Sequence, residues 1–161
     1  MSKVKINIGI SEKGLKNSAS LLSAVLADEM TLYIKTRKAH WNVAGESFME
    51  LHKLFENQYK QLEESIDEVA ERIGKLGHKT IGTMQEFLKH SAIKENPGKY
   101  LHSKDTIAEL LNDHESVIVQ LRKDVAESVE KNKDAGTGDF LTGLMEQHET
   151  MAWVLRRYLN L

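Results

Sequence analysis

Residues 47–77 read Ser47-Phe-Met-Glu-Leu-His52-Lys-Leu-Phe-Glu56-Asn-Gln-Tyr-Lys60-Gln-Leu-Glu63-Glu-Ser-Ile-Asp67-Glu-Val-Ala-Glu71-Arg-Ile-Gly74-Lys-Leu-Gly77, and two stripes run through them. Phe48, Leu51, Phe55, Leu62, Ile66, Val69, Ile73 and Leu76 recur at the spacing of one buried helix face. Beside them His52, Glu56, Lys60, Glu63, Asp67 and Glu71 follow at three- and four-residue intervals, the spacing of neighbours on a helix surface. Ser47 with Glu50 three places on reads as a capping box, and Gly74 and Gly77 end the segment. One long amphipathic helix is predicted, with an acidic face carrying one histidine.

Working outward, a first helix is predicted from about 11 to 38, its Leu15, Ala19, Leu22, Leu26 and Tyr33 forming a stripe that stops near His40. Thr83 and Glu86 make another capping box, opening a short helix to about His90 before Asn96-Pro97-Gly98 breaks the chain. A long helix from about 104 to 131 carries Ile107, Leu111, Ile118, Leu121 and Val125. The last runs from about 137 to 160 with Phe140, Leu144, Met151 and Leu155. Val4, Ile6, Ile8 and Ile10 alternate as in a strand, but an isolated strand has nothing to pair with.

Loop lengths then select the topology. The first two long helices and the last two have short connections and must be antiparallel neighbours, whereas a span of almost thirty residues separates the pairs and allows a crossover. The expected fold is all-α: a ferritin-like four-helix bundle with a short extra helix in the long crossover between helices two and three. We expect residues 1–161 to form a single domain with a flexible N-terminal tail at about 1–10.

Composition narrows the chemistry. With no cysteine among 161 residues, disulfides, thiolate zinc sites and iron–sulfur ligation are excluded, leaving His, Asp, Glu and backbone as strong metal ligands. No apolar run approaches the roughly 20 residues of a membrane span, and MSKVKINIGISEKGLK lacks the hydrophobic segment of a signal peptide. The expectation is a cytoplasmic protein. A net charge of −2 gives no global case for nucleic-acid binding. Lys3, Lys5, Lys13 and Lys16 against Glu12 make the N-terminus locally basic, so weak DNA contact through tails repeated around an oligomer stands beside the reading of a solvated terminus.

The pattern His40, His52, Asp67 and Glu71 is a metal-site inventory. Asp67 and Glu71 share a helix face at i,i+4, but the helical rise puts His52 about 22 Å from Asp67 along the same rod. One chain cannot close that site. If the four serve one centre, the histidines come from one subunit and the carboxylates from another. Read singly they are ordinary: acidic helix faces usually meet water, and a histidine beside Trp41 could simply pack or cap. No Glu is followed by His three places later, so the Glu-x-x-His pairs of an intra-bundle di-iron centre are absent.

The segment Lys38-Ala-His40-Trp-Asn-Val, continuing through His52 to Asp67-Glu-Val-Ala-Glu71-Arg, resembles the signature of the Dps family, the mini-ferritins of starved bacteria. The short crossover helix, Thr137-Gly-Asp139-Phe and Trp153 also sit where that family would have them, and the resemblance covers nearly the whole chain. It implies a hollow dodecamer with ferroxidase centres at two-fold interfaces, His40 and His52 of one subunit facing Asp67 and Glu71 of the next. It further implies that Fe(II) is oxidised there, preferably by hydrogen peroxide, with dioxygen the other candidate oxidant, that Fe(III) mineral is stored in the cavity, and that DNA is thereby protected. Glu56 and Glu63 would face the cavity and nucleate mineral, unless they are merely solvated. An acidic pore at three-fold axes would draw on Glu130, Asp134 and Asp139, with helix capping the other reading for the two aspartates. Ala135 departs from the family there, standing where several relatives carry a pore acid.

His78, His90, His102, His114 and His148 show no matching ligand set and are read as surface or core residues. Trp41 and Trp153 are read as packing residues, Trp41 also as a sink for stray radicals. Two other classes compete with the iron-oxidising enzyme: a nucleoid-binding protein acting through its basic tails, and a metal-free helical module.

Overall fold

Helix boundaries follow local chemistry closely, with one exception. The computed structural model describes residues 6–159; Lys3, Lys5 and half of the expected tail lie outside that range. Helix α1 spans Glu12–Asn42, opened by Ser11, whose hydroxyl accepts from the Gly14 amide at 3.1 Å. It runs past the expected end at 38, so His40 sits in its last turn. Helix α2 spans Phe48–Lys75. Here the expected capping box does not form: Ser47 has φ −97° and ψ 26°, its side chain makes no cap bond, and Phe48 N donates to Gly45 O instead. Outside the extended region the hydroxyl is not presented to the orphan amides.

Helix α2 ends as its glycines predict. Gly77 N donates to Gly74 O and His78 N to Ile73 O, the paired bonds of a Schellman motif, with Gly77 at φ +80°. A side chain there would also meet Ile6, whose Cδ1 lies 2.2 Å from the position of a Cβ. Ile6 and Ile10 pack against the core, and no strand forms among the described residues. The short helix α3, Met84–His90, has the full Thr83/Glu86 capping box. Helix α4 spans Ser103–Ala126 and passes into a π-helical turn, Glu127–Lys131. Helix α5 spans Ala135–Tyr158.

Hydrogen bonds between elements establish the topology. The Ser103 hydroxyl donates to Ala44 O at 2.8 Å, so α4 starts at the end of the bundle where α2 starts, and the two run parallel. The connection must therefore return along the whole bundle, about 40 Å for a helix of this length. It runs beside α1. Buried Asp28 accepts from the Ser91 hydroxyl and from the amides of Ala92 and Ile93, Lys35 donates to Lys94 O, and Lys38 donates to Asn96 O. Helices α1 with α2 and α4 with α5 form the antiparallel pairs, and α3 packs on α1. The expected bundle with its crossover helix is the structure observed. Leu22, Leu26, Leu51, Phe55, Leu62, Ile73, Leu121, Leu141 and Leu155 fill its interior.

Candidate metal centre

The short α1–α2 loop brings His40 and His52 face to face. Their rings stack at 3.7 Å between centroids with 21° between planes. Each imidazole is tied to the other's main chain: His40 Nδ1 lies 2.8 Å from His52 O, and His52 Nδ1 lies 3.0 Å from His40 O. A carbonyl can only accept, so each Nδ1 carries its proton and donates. The tautomer is thereby set, and Nε2 of each ring keeps its lone pair for a ligand.

An aromatic and cationic wall stands behind the pair. Tyr59 packs edge-on against His40 at 5.3 Å, Phe48 lies 5.2 Å from His52, and the Arg37 guanidinium sits 4.6 Å from the Tyr59 ring centre. Arg37 also donates to the Tyr33 hydroxyl at 2.6 Å. Glu56 stands one turn on from His52; its pair with Lys60 first, and the two histidines after it, hold its carboxylate below the usual range.

Asp67 and Glu71 lie on the same unbroken α2, exposed and far down the rod from His52. Glu71 pairs with Lys75 at 3.2 Å, both side chains open to solvent, a contact too weak to compete with a metal. Among the described residues of one chain, no three His, Asp or Glu side chains come together around a point that could hold a metal. The histidine half of the inventory is assembled in one chain, and the carboxylate half lies far from it on the same helix.

The other candidates separate by burial. Glu63, Glu130 and Asp139 are exposed. Asp134 is buried, caps α5 through the Thr137 amide at 3.0 Å, accepts from the Thr137 hydroxyl at 2.6 Å and pairs with Arg72 at 3.0 Å. Burial pushes its carboxyl up, but these hydrogen bonds and the guanidinium outweigh burial and hold it below the ordinary value. Trp41 and Trp153 are exposed in the single chain.

Residues 19–161 match the Ferritin family, described as a ferritin-like domain. A DNA protection during starvation protein of Bacillus anthracis is 36% identical over 146 residues, covering 90% of this chain and 98% of that one. The chain belongs to the Dps family. A low temperature-induced protein of Nostoc sp. is more similar still, 43% identical over 97% of this chain and 87% of the relative. The Dps protein of Vibrio cholerae, described as a member of a broad superfamily of ferritin-like diiron-carboxylate proteins, superposes with a TM-score of 0.89 at 28% identity over 99% of both chains.

One part of this Dps chain went unread in its sequence. His114 and His148, left between surface and core, are both fully buried in the bundle centre, and they meet a buried Glu29. A signal was present. Glu29 follows Leu22 and Leu26 on the apolar stripe of α1, His114 interrupts Leu111–Ile118 on α4, and His148 interrupts Leu144–Met151 on α5. Asp28, which anchors the crossover, was missed as well.

Proposed function

We propose that this protein is an oligomeric ferroxidase and iron store in which His40 and His52 of one subunit and Asp67 and Glu71 of the next bind Fe(II) at each two-fold interface. The observation that carries this reading is the reciprocal tie between His40 and His52, which leaves two Nε2 lone pairs on one edge of a chain that lacks its remaining ligands. Imidazole and carboxylate together suit Fe(II), and carboxylate oxygen also tolerates the ferric product. Glu56, beside the histidines, adds negative charge where the cation arrives.

Two Fe(II) ions at one centre supply both electrons that reduce one hydrogen peroxide to two waters, with two protons consumed. Two Fe(III) result and no hydroxyl radical is released. Ferric product collects as mineral inside a dodecameric shell, and DNA is protected by removal of both reagents. Exposed Glu63 faces the growing mineral, and exposed Glu130 and Asp139 line the three-fold path for incoming Fe(II), focusing negative potential. Asp134, engaged as a cap, holds the end of that path in place. The relatives named for DNA protection support the biological role.

The test is anaerobic oxidation of Fe(II) by added hydrogen peroxide. Two iron ions oxidised per peroxide, with the ferric product soluble and co-eluting with the protein, is the expected result. Precipitated iron with slow oxidation would sink the reading.

A further inference from the structure

The crossover does not close down fully on α1. Around Asn96-Pro97-Gly98 it is held by two long side chains, Lys35 donating to Lys94 O at 2.8 Å and Lys38 to Asn96 O at 3.0 Å. Their stems span the gap, and a cavity of about 210 Å³ remains between α1, residues 95–101 and the first turns of α4. Buried Ala39, Val43 and Leu110 line its inner part, and Ile34, Pro97 and Leu101 add further apolar surface. It is separate from the interface chemistry: this side of α1 faces the crossover and α4, whereas His40 faces His52 and Tyr59 of α2. An apolar cavity of about 150 Å³ admits benzene, so this one takes a single ring with a small substituent, or a short chain of similar bulk.

Charge decides what the substituent must be. Three lysines and two glutamates line the cavity. Lys35 is already neutralised, paired with Glu109 at 2.9 Å and Asp113 at 2.5 Å. Glu95 and Lys99 are exposed at the rim. Lys38 is different: its half-buried side chain donates to one neutral carbonyl and lies 5.2 Å from the centre of the Tyr100 ring, and among the described residues no carboxylate pairs with it. An ammonium has three donors, and only one is used here. The uncharged polar side chains of the lining are engaged, Asn42 donating to Lys38 O, Asn96 to Glu109 and the Thr106 hydroxyl to Leu101 O. A ligand with several polar groups therefore finds no further partner inside. One anionic group meets the one unpaired cation, where partial burial screens the pair less than at an open surface.

We infer that this cavity binds a small organic monoacid: one carboxylate, held on Lys38 Nζ, carried by an apolar body about the size of a single ring that rests against Val43 and Leu110. An apolar recess with one convergent charged group is the usual form of a small-molecule site. The ligand touches α1, the crossover and α4 at once, so its binding stabilises the arrangement of all three. The site uses one chain only and does not depend on the interface centre.

The probes are 4-fluorobenzoate and octanoate, with 4-fluorobenzamide as the uncharged control, each titrated calorimetrically into the intact oligomer. An acid of this size should bind once per chain with a Kd on the order of 0.1–1 mM, and the thermal midpoint should rise with its concentration. Binding of either acid supports the proposal, and the tighter of the two tells ring from chain. Lys38→Met keeps an apolar stem and removes the charge; it should weaken the acids at least about tenfold and leave the weaker amide unchanged. Ala39→Leu fills the inner part and should abolish all binding, with Lys38→Met carrying the test should that variant not fold. Crystals soaked in 4-bromobenzoate should show bromine anomalous density beside Val43 and Leu110. No binding of either acid, an amide that binds as tightly as its acid, or unaltered binding in Lys38→Met would overturn the proposal, as would a neighbouring subunit's side chain filling the cavity in the crystal.

Discussion

His40 and His52 each donate an Nδ1 proton to the other's backbone carbonyl, so the two imidazoles tie one another in place while Tyr59 and Phe48 pack against them. In the proposed centre, removing either ring loses one ligand and frees the other. His40→Ala and His52→Ala should each lower peroxide-driven iron oxidation by about 10–100-fold, the range seen when ligand-orienting partners are lost. Folding stability should fall by only about 1 kcal/mol for the lost hydrogen bond. Initial rates with size-exclusion chromatography check both halves; unchanged rates would remove the pair from the centre.

Sharing between subunits has a sharper signature. Chains carrying His52→Ala and chains carrying Asp67→Asn should each be inactive alone, because every interface site lacks one side of its ligand set. Co-expressed, a mixed two-fold contact contains one intact site and one doubly damaged site, so random pairing should restore about a quarter of wild-type activity. Co-assembled oligomers without recovered activity would show that each chain closes its own site.

Asp134 joins the start of α5 to α2 through Arg72 while capping α5. Asp134→Ala removes a cap and strands a guanidinium that is partly open to water, with a side-chain exposure of 23%. Solvent screening lowers the cost from that of a fully buried pair to about 2–3 kcal/mol. Urea unfolding of the variant measures it. Because the folded carboxyl titrates below its unfolded value, this contribution is present above about pH 4. It is lost as the pH falls further.

The buried His114 gives a separate acid window. Its imidazole titrates well below the ordinary value when folded, so below about pH 6.5 the unfolded chain binds a proton that the folded chain refuses. Stability from this group is complete above that pH and declines by about 1.4 kcal/mol per unit on acidification. His114→Leu should flatten the curve of unfolding free energy between about pH 6.5 and 5. A curve unchanged by the substitution would mean that His114 is already protonated in the folded protein.

Gly77 is constrained twice, by φ +80° and by Ile6 against its α-carbon. Gly77→Ala should cost about 1–2 kcal/mol. Adding Ile6→Ala should recover the steric part and leave the strain, a coupling that a double-mutant cycle reads directly. Independent, additive losses would mean that Ile6 does not rest on this turn.

What could be read along the chain was whatever depends on neighbours in sequence. Periodicity located the long helices because each buries one stripe, and Thr83 with Glu86 announced α3 because a capping box is a local hydrogen-bond circuit. The same pattern misled at Ser47, where backbone angles set by the tight 43–47 connection withhold the hydroxyl from the amides. Helical rise separated His52 from Asp67, so that one centre using both would need two chains, before any fold was known. Tertiary structure alone decided which atoms meet. His40 and His52 lie twelve residues apart but share hydrogen bonds because the loop folds α2 back on α1. Glu29 and His148, 119 residues apart, meet only because α1 and α5 face each other across the core. Asp134, read as a pore acid or a helix cap, caps α5 through its own neighbour Thr137, and only tertiary structure adds the ion pair, because Arg72 of α2 arrives beside it. Long-range pairing depends on how four helices pack at once, and spacing along one helix carries no record of that.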